Sequence, residues 1–102
     1  MELKDTVELM QSSDYKERFI AEYWQTKIRY EKLKHFNNII TAARATTNND
    51  VMVTDVMVVE PKHDCPKYML EEQQHLMGEY LHILEVRAII EGIDLDVKQK
   101  AE

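Results

Sequence analysis

The chain has 102 residues, 31% of them charged, and a formal charge of −6, so it holds one domain and lacks the basic surplus of a general nucleic-acid binder. Its 2 Gly and 2 Pro are too few for the turns of a sandwich or barrel. One cysteine, Cys65, excludes an internal disulfide framework, and no run approaches the ~18 apolar residues of a membrane span.

The opening MELKDTVELM lacks the apolar core of a signal peptide, and with the lone thiol it points to a reducing cytoplasm. Over residues 3–11, Leu3, Val7 and Met10 fall at i, i+4 and i+7, which predicts a short amphipathic helix. So short a helix is not stable alone in water. It needs a surface to dock on, the main hairpin or a neighbouring subunit.

Ser12-Ser13-Asp14 is a helix start, with Asp14 and Glu17 spaced as a capping-box variant. The helix is predicted over 15–44, free of Gly and Pro. Phe19, Tyr23, Thr26, Tyr30, Leu33, Asn37 and Ile40 alternate +4 and +3, the seam of a coiled coil. Ile20, Trp24, Phe36, Ile39 and Ala43 widen the stripe until it exceeds what one partner helix covers, which predicts a homo-oligomer.

Residues 45–50 are a polar breaker, and the β-branched run 51–59 suits one or two short strands, a short β-hairpin. Asp64-Cys65-Pro66 opens a second helix, predicted over 66–91 and stopped at Gly92. Its inward stripe is read as Met69/Leu70, Gln73, Leu76/Met77, Tyr80, Ile83/Leu84, Arg87 and Ile90, with Gly78 marking a close helix approach. Residues 94–102 read as a frayed, charged tail. The expected fold is a mainly α single domain, 1–102, built on a long antiparallel two-helix hairpin.

Charge is uneven. Residues 15–35 carry six Lys/Arg against three acids, while residues 71–102 carry eight acids against three bases. Attraction between the two helices accounts for this, and a basic groove for an anionic ligand is the alternative.

Two constellations stand out. Gln73, Tyr80 and Arg87 lie seven apart on the midline of the second helix's apolar stripe, and an antiparallel hairpin would bring Arg87 to Glu22 and Tyr80 to Thr26, fixing register. Arg87 could instead meet a phosphate or carboxylate. Tyr23, Trp24, Lys27, Arg29 and Tyr30, with Arg87, combine positive charge with aromatic faces, a mixture that can stack a base and hold a phosphate. No metal site, cofactor or catalytic residue is expected. His63, Cys65 and His75 lack a fourth ligand at a recognisable spacing, and neither His35 nor His82 aligns with Cys65 as a base.

The stretch Arg18–Phe36, RFIAEYWQTKIRYEKLKHF, resembles the first helix of a family of small uncharacterised proteins from tailed phages and prophages, named after a crAss-like phage member. Residues 65–88, CPKYMLEEQQHLMGEYLHILEVRA, resemble its second. Glu22, Leu33, Phe36, Leu70, Gln73, Met77, Tyr80, Leu84 and Arg87 carry the match. The connector from Asn48 to Lys62 is longer than that family's usual one. The resemblance implies a helical hairpin, a phage origin, the cytoplasm of the bacterial host as the place of action, and no established activity.

Small oligomeric phage proteins often blunt bacterial immunity, and some act as sponges for nucleotide signals; this is analogy at the level of fold. The leading expectation is therefore a non-enzymatic accessory protein that sequesters a cyclic or modified nucleotide. The alternative is an inhibitor or adaptor acting on a host defence protein.

Overall fold

The computed structural model describes residues 1–48 and 58–96. A 3-10 turn at Leu3–Thr6 leads into α1 (Val7–Met10), followed by α2 (Tyr15–Asn48) and α3 (Lys67–Glu91). The described residues contain no strand, and residues 51–57 of the expected hairpin lie outside them.

Helix α2 starts as its sequence requires. The Asp14 carboxylate accepts the Lys16 amide at 3.0 Å, satisfying one of the free N–H groups of the first turn. The Asp14 amide donates to the Ser12 hydroxyl at 2.9 Å, the place that Glu17 would fill in a full capping box. The helix runs four residues beyond the expected Arg44, and its 34 residues span about 51 Å.

Pro66, extended at φ −60 and ψ 148, is the cap of α3 and leaves Lys67 as its first residue. At the other end Gly92 takes the left-handed conformation, φ 71. Its amide donates to the Ile89 carbonyl, and the Ile93 amide reaches the Ala88 carbonyl at 2.8 Å. This is a Schellman closure, with Ile93 and Ala88 both in the core as its apolar contact.

The two long helices run antiparallel. Tyr15 lies opposite Glu91, Tyr23 opposite Glu85, Tyr30 opposite Gly78, and Asn37 opposite Leu70 and Gln74. On α2 the buried seam is the one its spacing predicts, with Phe19, Tyr23, Asn37 and Ile40 buried and Thr26, Tyr30 and Leu33 half-buried. A Cβ on Gly78 would stand 3.2 Å from the Tyr30 ring, so glycine permits the close approach there. Asn37 is a buried polar layer. Its amide donates to the Leu70 carbonyl at 3.2 Å and to Gln74 Oε1 at 2.9 Å, which fixes the register of the pair.

Three expectations need correction. The inward stripe of α3 lies one residue further along. Leu81, Leu84 and Ala88 are buried and Leu70, Gln74 and Met77 half-buried, whereas Met69, Gln73, Leu76, Tyr80, Ile83, Arg87 and Ile90 are exposed. The N-terminal helix is likewise turned, with Thr6 and Leu9 facing inward and Val7 and Met10 exposed. Thr6 can be fully buried because its hydroxyl donates to the Leu3 carbonyl at 2.7 Å and accepts from Gln25 at 3.0 Å. The start of the tail is docked, with Leu95 against the core beside Ile93, and the Leu95 carbonyl accepts the Trp24 indole N–H at 2.7 Å.

The core is concentrated where α1, the start of α2, the end of α3 and residues 93–95 meet, around Phe19, Ile20, Tyr23, Leu81 and Leu84. At this end of the hairpin α1 and residues 93–95 cover part of the α2 stripe, around Ile20 and Trp24, while Phe36 and Ile39 stay half-buried. Leu84 has no exposed surface. Leu84→Ala should therefore lower the unfolding free energy by about 2–5 kcal/mol in urea titrations, and a loss well below 1 kcal/mol would show that this end of the hairpin is not the core.

Candidate ligand-binding surface

The residues singled out for ligand binding are not gathered into one site. Tyr23 is buried, donates to Glu85 at 2.7 Å and meets Trp24 edge-on at 5.4 Å. Burial, reinforced by the Glu85 carboxylate, raises the Tyr23 pKa, so the phenol is a fixed donor. Trp24 is tied to Leu95. Tyr23 is enclosed in the core, and Trp24 packs half-buried against it. Lys27 is paired along the helix with Glu31 at 3.5 Å, and Arg29 is exposed. Tyr30 and Arg87 are carried about 16 Å apart, eleven residues of α2 separating Tyr30 from Phe19, the ring beneath Arg87.

Arg87 sits on the exposed side of α3. Its guanidinium lies 4.9 Å from the centre of the Phe19 ring and donates to Glu91 at 3.1 Å and to the Tyr15 hydroxyl at 2.6 Å. The bond to Glu91 holds its pKa above the ordinary value. Glu22 accepts from the Tyr80 hydroxyl and reaches Arg87 only through space. The expected Glu22–Arg87 and Tyr80–Thr26 pairs are thus replaced by Arg87–Glu91 and Tyr80–Glu22. The reason is the one-residue turn of α3, which moves Tyr80 and Arg87 from its midline to its flank. Gln73, also exposed, is within reach only of Met77 Sδ, at 3.8 Å.

A groove of about 780 Å3 opens on the other flank of α3. It is lined by Tyr30 and, on α3, by Gln74, His75, Gly78, His82 and Ile83, together with two carboxylates. The missing side chain at Gly78 is what leaves the Tyr30 ring accessible. The Lys34 amine stands 6.0 Å from the ring centre. An aromatic ring and imidazoles that donate or accept suit a heteroaromatic ring, and Lys34, beside Tyr30 but outside the lining residues, adds a cation nearby. Glu71 and Glu79 also line the groove and disfavour a densely charged polyphosphate. Lys34 stands one turn beyond Tyr30, the i, i+4 spacing that puts both on one face of α2, a signal that the charge count of the first helix passes over.

The connector returns to the hairpin through a charged clasp. Arg44 donates twice to Glu60, at 3.0 Å each, and His63 Nε2 lies 2.7 Å from the same carboxylate. His63 Nδ1 lies 2.7 Å from the Cys65 carbonyl, and the ring meets Phe36 edge-on at 6.0 Å. Both ring nitrogens face acceptors, which fits the imidazolium. Glu60 is held down at about 2, chiefly by Arg44 and then by His63, while His63 is raised, chiefly by Glu60 and then by the Cys65 carbonyl. Cys65 itself is exposed, and no group of three or more His, Cys, Asp or Glu is placed to hold a metal ion among the described residues.

The class these features define is a small helical hairpin with an open, partly aromatic flank. A family model described as Sequestin matches residues 13–57 and 50–90, which take in nearly all of α2 and α3. The chain belongs to the Sequestin family. No curated protein and no solved structure matches it. No helix among the described residues is long and apolar enough to cross a membrane.

The clasp sets a pH dependence. The Glu60 contribution is complete above its ordinary value of 4.5 and fades as pH falls toward about 2. The His63 contribution is complete below its ordinary value of 6.5 and is lost as pH rises through the raised folded value. Thermal melts should show the gap between wild type and His63→Gln widest at about pH 5–6.5 and narrowing above it. A gap that stays constant to pH 9 would mean that His63 is not charged in the clasp.

Proposed function

We propose that the chain is a non-enzymatic phage accessory protein that binds and sequesters a nucleotide immune signal in the cytoplasm of the bacterial host. The observation that carries this reading is membership of a family whose name denotes sequestration. The resemblance of both helices to small tailed-phage proteins supports the phage setting. A sponge needs affinity and a lid or partner to slow release, with no chemistry on the cargo.

The groove between Tyr30 and α3 is the binding surface we favour. The base stacks on Tyr30, His75 and His82 read its edge, and Lys34 meets the phosphate or ribose phosphate. A cyclic or modified nucleotide, with its charge compact or partly masked, suits a groove that also holds Glu71 and Glu79. This choice replaces the wider aromatic and basic set, because Tyr23 is buried in the core and Trp24 packs against it with its indole N–H given to the Leu95 carbonyl. Self-association belongs to the same reading, since a second copy can close over an open surface and lengthen the residence time.

The second reading is an inhibitor or adaptor for a host defence protein. It is favoured by the acid surplus of α3, where Glu71, Glu72, Glu79, Glu85 and Glu91 outnumber Lys67 and Arg87. Such a protein would show a stoichiometric complex with its target and no nucleotide affinity.

Isothermal calorimetry against a panel of cyclic and modified nucleotides tests the first reading. One class should bind with a dissociation constant in the micromolar range or below, roughly 8 kcal/mol or more of binding free energy. Lys34→Ala should weaken that binding and flatten its salt dependence, while Tyr30→Leu should remove about 1–3 kcal/mol of stacking. The ligand released by heating should be chemically unchanged. No heat with any member of the panel, or a ligand converted during the incubation, would overturn the reading.

A further inference from the structure

Helix α3 carries two heptad seams side by side, one residue apart. The inner seam, Leu70, Met77 and Leu84 alternating with Gln74, Leu81 and Ala88, is turned into α2. The outer seam repeats the same +4, +3 spacing on the solvent side over about 32 Å. It has Met69, Leu76, Ile83 and Ile90 at one heptad position and Gln73, Tyr80 and Arg87 at the other, and all seven are exposed. A stripe that keeps this period along a straight helix matches another helix of similar length, rather than a loop or a strand.

We propose that the outer seam of α3 docks a second copy of this chain, α3 against α3 and antiparallel, to give a two-fold four-helix bundle. The proposal does not depend on what the Tyr30 groove binds. Within the chain, α1 lies on α2 and residues 93–95 pack beside Trp24, so no described segment covers the outer seam. The five apolar and aromatic side chains along it are 40% to 76% exposed. They open on the order of 500 Å2 per copy, and two copies reach about 1,000 Å2, the lower bound for a specific interface. A two-fold pairing uses one patch on both copies and closes at two.

Charge selects the direction. Parallel pairing would stack Arg87 on Arg87 of the partner subunit inside the seam. Antiparallel pairing about an axis near Tyr80 separates them and sets each Arg87 against Glu72 and Gln73 of the partner subunit. It also aligns Leu76 with Ile83 of the partner subunit. Glu79, the acid nearest the axis, is already engaged by His75 at 3.1 Å. Opposed helix dipoles favour the same direction.

Sedimentation equilibrium on the full chain at roughly 50 µM, where an interface of this size is populated, tests the proposal, with far-UV circular dichroism confirming helicity. Wild type should be a dimer. Ile83→Glu, an exposed change on the seam, should give a helical monomer. Ile89→Glu, on a residue 82% exposed but on the opposite flank of α3, should leave the dimer intact. Arg87→Glu should weaken the dimer, and adding Glu72→Arg should restore it. A monomeric wild type would assign the seam to some other protein and overturn the proposal. A dimer that survives Ile83→Glu, or that Ile89→Glu dissociates, would move the interface elsewhere and overturn it too. Failure of the double change to restore what Arg87→Glu loses would overturn the antiparallel arrangement.

Discussion

Two helices have only one line of contact, and the contact between α2 and α3 determines where everything else can go. The line is set by a few side chains that admit no other register. Tyr30 needs the space that Gly78 leaves, and a Cβ there would come within 3.2 Å of its ring. Asn37 needs the Leu70 carbonyl and Gln74, since its amide is buried and would otherwise lose hydrogen bonds. With those contacts fixed, Leu81, Leu84 and Ala88 face inward and Tyr80 and Arg87 fall on the flank. A hairpin of this kind gains most of its interior at one end, where α1 and residues 93–95 add a third layer over Phe19, Ile20 and Tyr23.

The same register divides the surface in two. On one flank the gap over Gly78 exposes Tyr30 beside Lys34 and two histidines. On the other flank the polar residues engage one another, Tyr80 with Glu22 and Arg87 with Glu91 and Tyr15. These exposed pairs add little to stability, so their placement matters more for what the surface can recognise. We propose a small planar ligand for the groove and a helix for the seam. The two proposals meet at Ile83, which lines the groove and also lies on the outer seam, while His75, Gly78 and His82 belong to the groove alone and Met69, Leu76 and Ile90 to the seam alone.

The hairpin, the start of α2 and the Gly92 stop were legible because each has a local cause: an Asx cap, an unbroken +4, +3 repeat, and a glycine where φ must be positive. The rotation of α3 was harder to read. Met69, Leu76 and Ile83 sit next to Leu70, Met77 and Leu84, so apolar periodicity fits both seams equally. The alternate positions held the answer, because Leu81 and Ala88 pack in a narrow gap while Tyr80 and Arg87 do not. The inward turn of Thr6 was not legible, since its hydroxyl is satisfied by Gln25, nineteen residues away. The docking of Leu95 was hidden by the charge around it. Of the residues proposed for ligand binding, Tyr30 lines the groove, whereas Tyr23 is core and Trp24 packs against it, because aromatic spacing alone does not distinguish a buried ring from a stacking platform.

The central claim is that this hairpin holds a nucleotide without altering it. Native mass spectrometry of the full chain, incubated with a mixed extract of cyclic and modified nucleotides, tests that most directly. The account predicts a complex in which one nucleotide class is enriched and leaves the protein on activation with its mass unchanged. A protein that emerges without a nucleotide, or a released nucleotide whose mass has changed, would contradict it.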